Sequence, residues 1–206
     1  MSGEAARQRF SYEKIAEVVS EGATVLDLGC GDGELLRLLH ARRGTHGRGV
    51  EIDESMIRQC VQSGISVFQA DLDAGLKEFA SGSYDYVILN ETLQVVHDPV
   101  SLLREMVRVG RKAVINFPNF GYILNRAQLF FAGRMPVNRE IPFEWYNTPN
   151  IHFCTRRDFV ALCREQGFRV EETIDLRHDR RISAFLANLL STECCFVITG
   201  RNGPTV

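Results

Sequence analysis

The sixteen residues Thr24 to Leu39, TVLDLGCGDGELLRLL, constrain this chain more than any other stretch. Thr24 to Asp27 reads as a short buried strand, β-branched at its start and mostly apolar. Gly29, Gly31 and Gly33 then alternate through a tight turn. Glycine admits backbone angles that a Cβ forbids, and it lets a ligand come close to the main chain. Glu34 to Leu39 runs on as a helix with apolar positions along one side. Strand, glycine turn and helix, in that order, open a nucleotide-binding α/β sheet.

The spacing narrows the ligand. A dinucleotide fingerprint, G-x-G-x-x-G, keeps a third glycine for helix packing and sets the helix N-terminus against a pyrophosphate. Here that sixth position is Glu34. Asp32 and Glu34 would both sit near a bound phosphate, and like charges there are costly. A cofactor without phosphate, carrying a cationic centre and an amine, suits this turn better, and S-adenosylmethionine (SAM) is one. VLDLGCGDG resembles the first motif of class I SAM-dependent methyltransferases, in which an acidic residue at the position of Asp27 is usual.

Further carboxylates follow in phase. Gly47 to Ile52 reads as a second strand ending in Glu51 and Asp53, about 20 residues past the glycines, where a ribose-binding acid is expected. A carboxylate accepts both ribose hydroxyls at once. Strand register favours Glu51 for that role and puts Asp53 nearer the cap of the next helix, Glu54 to Gln62. A third strand, Ser66 to Gln69, leads to Asp71 and Leu72. The resemblance implies that Asp71 takes the adenine amino group and that the backbone of Leu72 meets the ring. Tyr84 to Asn90 (YDYVILN) is the clearest buried strand, expected beside the first, after the turn Ser81 to Ser83. Pro99 opens a helix running to Val109, and Lys112 to Phe117 is a fifth strand. Strand-helix units in series predict a doubly wound parallel sheet.

The N-terminal residues 1–22 hold a helix, with Phe10, Ile15, Val18 and Val19 at helical spacing. Residues 118–154 break the pattern. Pro118 to Asn150 carries four of the six prolines and the only tryptophan. Tyr122 to Phe131 reads as a helix with an aromatic face, and the rest as a long irregular loop. Such loops in compact domains are usually functional. With Phe143, Trp145 and Tyr146 close together, this one is a candidate lid or partner surface. Thr155 to Gly167 is an amphipathic helix whose Thr155 and Asp158 have the shape of a capping box. Phe168 to Ile174 and Cys194 to Thr199 are two last strands, with a helix over Ile182 to Leu190 between them. The expected architecture is one α/β domain over residues 1–206. It is a Rossmann-like class I methyltransferase fold with a mostly parallel, seven-stranded sheet and one reversed strand near the C-terminus.

Composition sets outer bounds. At 206 residues the chain fits one domain with a sizeable core. A formal net charge of −2 does not point to nucleic acid or to a membrane surface. No apolar run of about 18 residues predicts a transmembrane helix, and the polar N-terminus lacks a signal-peptide core. The six cysteines form no CxxC pair, and Cys194 and Cys195 point to opposite faces of a strand. Reduced thiols in the cytoplasm and no metal site are the expectation.

One resemblance covers nearly the whole chain. NFPNFGYILNRAQLFFAGRMPVNREIPFEWYNTPNIHFCT is similar to the MetW proteins of bacterial methionine biosynthesis, as are VLDLGCGDGELL, QADLDAGL and NETLQVVHDP. The resemblance implies association with a homoserine O-acyltransferase of the MetX type. It leaves methyl transfer unsettled. An accessory or regulatory subunit of the acyltransferase is the favoured reading. A SAM-dependent methyltransferase acting on an unidentified acceptor is the alternative, and a nicotinamide oxidoreductase is disfavoured by the acidic turn. SAM or S-adenosylhomocysteine is the expected ligand, held by Asp27, Gly29, Gly31, Gly33, Glu51, Asp71, Leu72 and Asn90. Asn90 and Glu91 lie where an acceptor would approach, and His97 and His152 are further candidate bases. No Asn-Pro-Pro-Tyr follows the fourth strand, and no G-x-S-x-G occurs. No acid and base are visibly paired.

Overall fold

The computed structural model describes residues 3–139, 141–178 and 180–200, with side chains from Phe10 onward. Seven longer strands form the expected sheet: β1 Thr24–Leu28, β2 His46–Glu51, β3 Val67–Gln69, β4 Tyr84–Asn90, β5 Gly110–Pro118, β6 Arg169–Arg177 and, last in the chain, β8 Glu193–Thr199. With the short β7 (Arg180–Arg181), the order is β3-β2-β1-β4-β5-β8-β6-β7. Strands β1 to β5 pair in parallel, and β8 runs antiparallel to both β5 and β6. The eighth strand, β7, is only Arg180–Arg181, folded back on Leu176 and Arg177. It adds to the seven strands expected, because two exposed arginines carry no period-2 signal in the sequence.

Helices cover both faces. Alternation along the strands sends Leu26, Val87, Leu89, Ala113, Ile115 and Phe117 to one side, where they meet α4 (Pro99–Val109) and α6 (Arg156–Gln166). Val25, Tyr86, Ile88 and Val114 go to the other side, against α1 (Gly3–Val18) and α2 (Glu34–Arg43). Cys194 belongs to the first cluster and Cys195 to the second, as adjacent residues of a strand must. The α6 side is centred on Phe117, Phe159 and Phe196, whose ring centroids lie 4.7 to 5.8 Å apart. Burying each ring stabilises by about 1.5–3 kcal/mol.

The helix ends follow local chemistry. Asp98 caps α4 with Pro99 just inside, and Gly110 both ends that helix and begins β5. Thr155 and Asp158 form the capping box of α6. Asp53 caps α3 (Glu54–Gln62), its carboxylate accepting from the N–H groups of Ser55 and Met56. The 118–154 segment contains α5 (Ile123–Ala132) and is otherwise irregular. It is held by buried amides. Asn119 donates to the Ser191 hydroxyl at 2.9 Å and accepts from Gly121 and Arg156, while Asn138 donates to Asn125 at 2.6 Å. A last helix, α7 (Ala184–Leu190), lies between β7 and β8.

Candidate functional site

The C-terminal ends of β1, β2 and β4 carry two adjoining hollows that share Gly29. One, of about 270 Å3, is bordered by Asp27, Gly31, Glu34, Asn90 and Glu91, with Tyr12 of α1 closing it. The other, of about 300 Å3, is bordered by Glu51, Asp71, Leu72 and Thr92. Gly33 lines neither, and it begins α2 with φ near 78°.

The glycine turn is shaped for this position. Gly29 and Gly31 have φ of 70° and 55°. A Cβ on Gly29 would come within 2.9 Å of the Thr92 hydroxyl oxygen, so the close approach requires glycine. Gly31 N–H donates to Glu51 Oε2 at 2.9 Å, while Ile52 and Asp53 N–H donate to Oε1 of the same carboxylate. Glu51 therefore joins the end of β2 to the turn, and it borders the second hollow. With Asp53 occupied as a helix cap, the two acids separate by role. Asp71 caps the 3-10 turn Leu72–Ala74 through Asp73 N–H and stands at the rim.

A polar row crosses the sheet on its α1 side. Strand alternation places Asp27, Asn90 and Asn116 on the same face as Val25, Ile88 and Val114. Asn116 Nδ2 donates to the Ser11 hydroxyl and to Asn90 Oδ1, each at 2.9 Å. Ser11 and Tyr12 thus tie α1 to the site. Sequence reasoning missed all three of Ser11, Tyr12 and Asn116; the one local hint was a polar residue at the end of an otherwise apolar β5.

Asp27 is the electrostatic centre. It is 2% exposed, and none of the described residues donates a hydrogen bond to its carboxylate. Burial, and then the negative charge of Glu51, push its pKa up to about 7. A buried acid that takes no hydrogen bond from the described residues, facing a hollow that also contains Asp32, Glu34 and Glu91, is arranged for a cation. Glu91 sits at φ 52°, an uncommon conformation for a non-glycine residue, with its N–H on the Asn116 carbonyl.

The remaining candidates lie elsewhere. His97 is on the surface, with Nδ1 2.8 Å from Asp73, which also accepts the His97 and Asp98 N–H groups. His152 lines a different, apolar cavity. Only Asn90 and Glu91 of the four come together at the first hollow. The 118–154 segment borders neither hollow, and Trp145 and Tyr146 project from it 71% and 69% exposed. No described helix is long and apolar enough to cross a membrane.

Comparison with known proteins agrees with this geometry. The fold is that of an S-adenosylmethionine dependent methyltransferase from Mesorhizobium loti, with TM-score 0.68 and 18% identity over 92% of this chain and 97% of that one. It is also the fold of the [4+2]-cyclase SpnF, with TM-score 0.65 and 14% identity over 92% of this chain and 80% of that one. In sequence the chain is 40% identical over 181 residues to the bifunctional methionine biosynthesis protein MetXA/MetW of Rhodopirellula baltica. That match takes in 82% of this chain and 29% of the relative, so the chain spans less than a third of the larger protein. Residues 9–198 match the family described as Methionine biosynthesis protein MetW. The chain belongs to the MetW family and carries its fold on a class I methyltransferase-like sheet.

Proposed function

We propose that this chain binds SAM in the paired hollows and serves as an accessory, regulatory partner of a homoserine O-acyltransferase in the cytoplasm. The observation that carries the partnership is the relative in which a MetXA portion and a MetW portion share one chain. Covalent linkage raises effective concentration and is useful where two parts work together.

The residues present fit SAM. Asp27, buried and facing the first hollow, suits a sulfonium and ammonium better than any anion. Gly29 and Gly31 leave the main chain open, Glu51 offers carboxylate oxygens for ribose hydroxyls, and Asp71 with Leu72 would hold the base. When bound, SAM supplies an electrophilic methyl group. Around that position the chain brings Asn90 and Glu91, but not His97 or His152. Methyl transfer needs alignment, and a base where the nucleophile is protonated. A fold of this type also hosts a cyclase, so the fold does not dictate methylation. Methyl transfer to an unidentified acceptor remains the second reading, favoured by Glu91, whose strained backbone borders the hollow.

As the pathway's product feeds SAM synthesis, binding here would report output to an early step. Such feedback requires SAM to prefer either the free or the partnered form. The test is homoserine acylation by the cognate acyltransferase, with and without this chain and with and without SAM, alongside a methyl-release assay. Acylation that depends on this chain supports the proposal. Acylation unchanged by it, together with rapid methyl turnover, would replace the proposal with the methyltransferase reading.

A further inference from the structure

The 3-10 turn Leu93–Val95 is a wall with two sides. Thr92, Val95 and Val96 face the hollow that contains Glu51 and Asp71. Leu93 and Gln94 face a separate cavity of about 300 Å3. Its floor is Phe117 and Phe159, both fully buried, and its roof is Phe120, Ile141 and Phe153 from the 118–154 segment. Segments distant in sequence build it, and none of the roles assigned above uses it.

Gln94 is the polar member of this wall. Its Nε2 donates to the Glu91 carbonyl at 2.7 Å, while its Oε1 is buried without a partner. A buried amide oxygen left unpaired is unfavourable, and a ligand donor would remove that penalty. Asp158, also at the cavity, already accepts from the Thr155 hydroxyl and disfavours an anionic guest. Size excludes a helix, which is about 10–12 Å across with its side chains. An apolar void of about 150 Å3 admits benzene, so roughly twice that volume accepts a bicyclic or substituted ring.

We propose that this cavity binds a small, uncharged aromatic molecule bearing one hydrogen-bond donor. The ring packs among Phe117, Phe120, Phe153 and Phe159, where offset and edge contacts favour an aromatic guest over an aliphatic one. Gln94 Oε1 is enclosed, so the amide turns to meet the donor and loosens its hydrogen bond to the Glu91 carbonyl. Occupancy is felt at the cofactor site through the same residue. The Gln94 carbonyl accepts Ile151 and His152 N–H at 2.9 and 3.1 Å, fastening the roof, and its side chain holds Glu91. This coupling, though not the cavity itself, rests on the SAM binding proposed above.

Indole and benzothiophene test the assignment, being nearly equal in shape but differing in the N–H. Titrations followed by calorimetry and by side-chain NMR should show saturable binding, with indole tighter by about fivefold, the worth of one net hydrogen bond. Gln94→Leu should erase that preference and still bind both rings. Leu162→Trp, or Ile141→Trp where the first fails to fold, should fill the space and abolish both. Indole should also change the Kd for SAM. No response to either ring overturns the proposal, as does a response to the acyltransferase alone, which would give the cavity to a protein side chain. Equal affinities unaffected by Gln94→Leu overturn the donor assignment. Indole binding with no SAM affinity at all refutes the cofactor reading and leaves the cavity standing.

Discussion

Replacing Asp27 by asparagine separates the cost of the buried carboxylate from its use. Asp27 is 2% exposed, and its pKa rises from 3.8 to about 7 because burial disfavours the anion and Glu51 repels it. The folded state therefore binds the Asp27 proton more tightly than the unfolded chain does. Stability from this group is present below the unfolded value, falls as pH rises from 3.8, and is fully lost above about 7. At about 1.4 kcal/mol for each tenfold change in proton affinity, the anion at pH 8 destabilises the ligand-free protein by on the order of 4 kcal/mol. Asp27→Asn keeps the shape and removes the charge. It should leave stability at pH 4 nearly unchanged and raise it at pH 8 by up to that amount, as read by urea denaturation. Binding should move the opposite way. A cationic ligand prefers the ionised acid, so SAM affinity of the native chain should rise with pH and level off above about 7. In the Asp27→Asn protein it should be weaker and nearly independent of pH. A variant less stable than the native chain at pH 8, or native SAM affinity that is flat from pH 5 to 8, would refute the reasoning.

Glu51→Gln should weaken SAM binding by about 1.5–3 kcal/mol in calorimetry, since charge-assisted hydrogen bonds to the ribose are lost. It should also lower the pH at which the Asp27 carboxyl titrates, because Glu51 is the second cause of its raised pKa. Arg156→Met leaves Asp175, 4% exposed and 2.8 Å from the guanidinium, buried without its ionic partner. A loss of about 3–5 kcal/mol in denaturant titration is expected, with most of it recovered when Asp175→Leu is added. The emission of Trp145, the only tryptophan, should shift to the blue when the acyltransferase binds and should ignore SAM alone, since its segment borders neither hollow. A shift with SAM and none with the partner would contradict this.

Much of the molecule is written locally. A short apolar run after a turn marks β4 at Tyr84–Asn90, which is buried on both faces, and the cap at Asp53 marks the start of α3 at Glu54–Gln62. Positive φ at Gly29, Gly31 and Gly33, the Asp98 and Thr155 caps, and the opposite facing of Cys194 and Cys195 follow from residue type and its immediate neighbours. The spacing that set Glu51 and Asp71 at strand ends is of the same kind. What a side chain meets across the fold is not. Ser11 reaches Asn116 across 105 positions only because α1 lies over β4 and β5. Strand register already puts Asp53 at a helix cap, but that Glu51 receives the Gly31 N–H is a contact between β2 and the glycine turn that only the fold supplies. His97 and His152 looked equivalent in the sequence, yet one is fastened to Asp73 on the surface and the other lines an aromatic cavity. Asp27 looked like one more motif acid. Its burial beside Glu51 depends on which strands became neighbours, because desolvation and repulsion act through space and not along the chain.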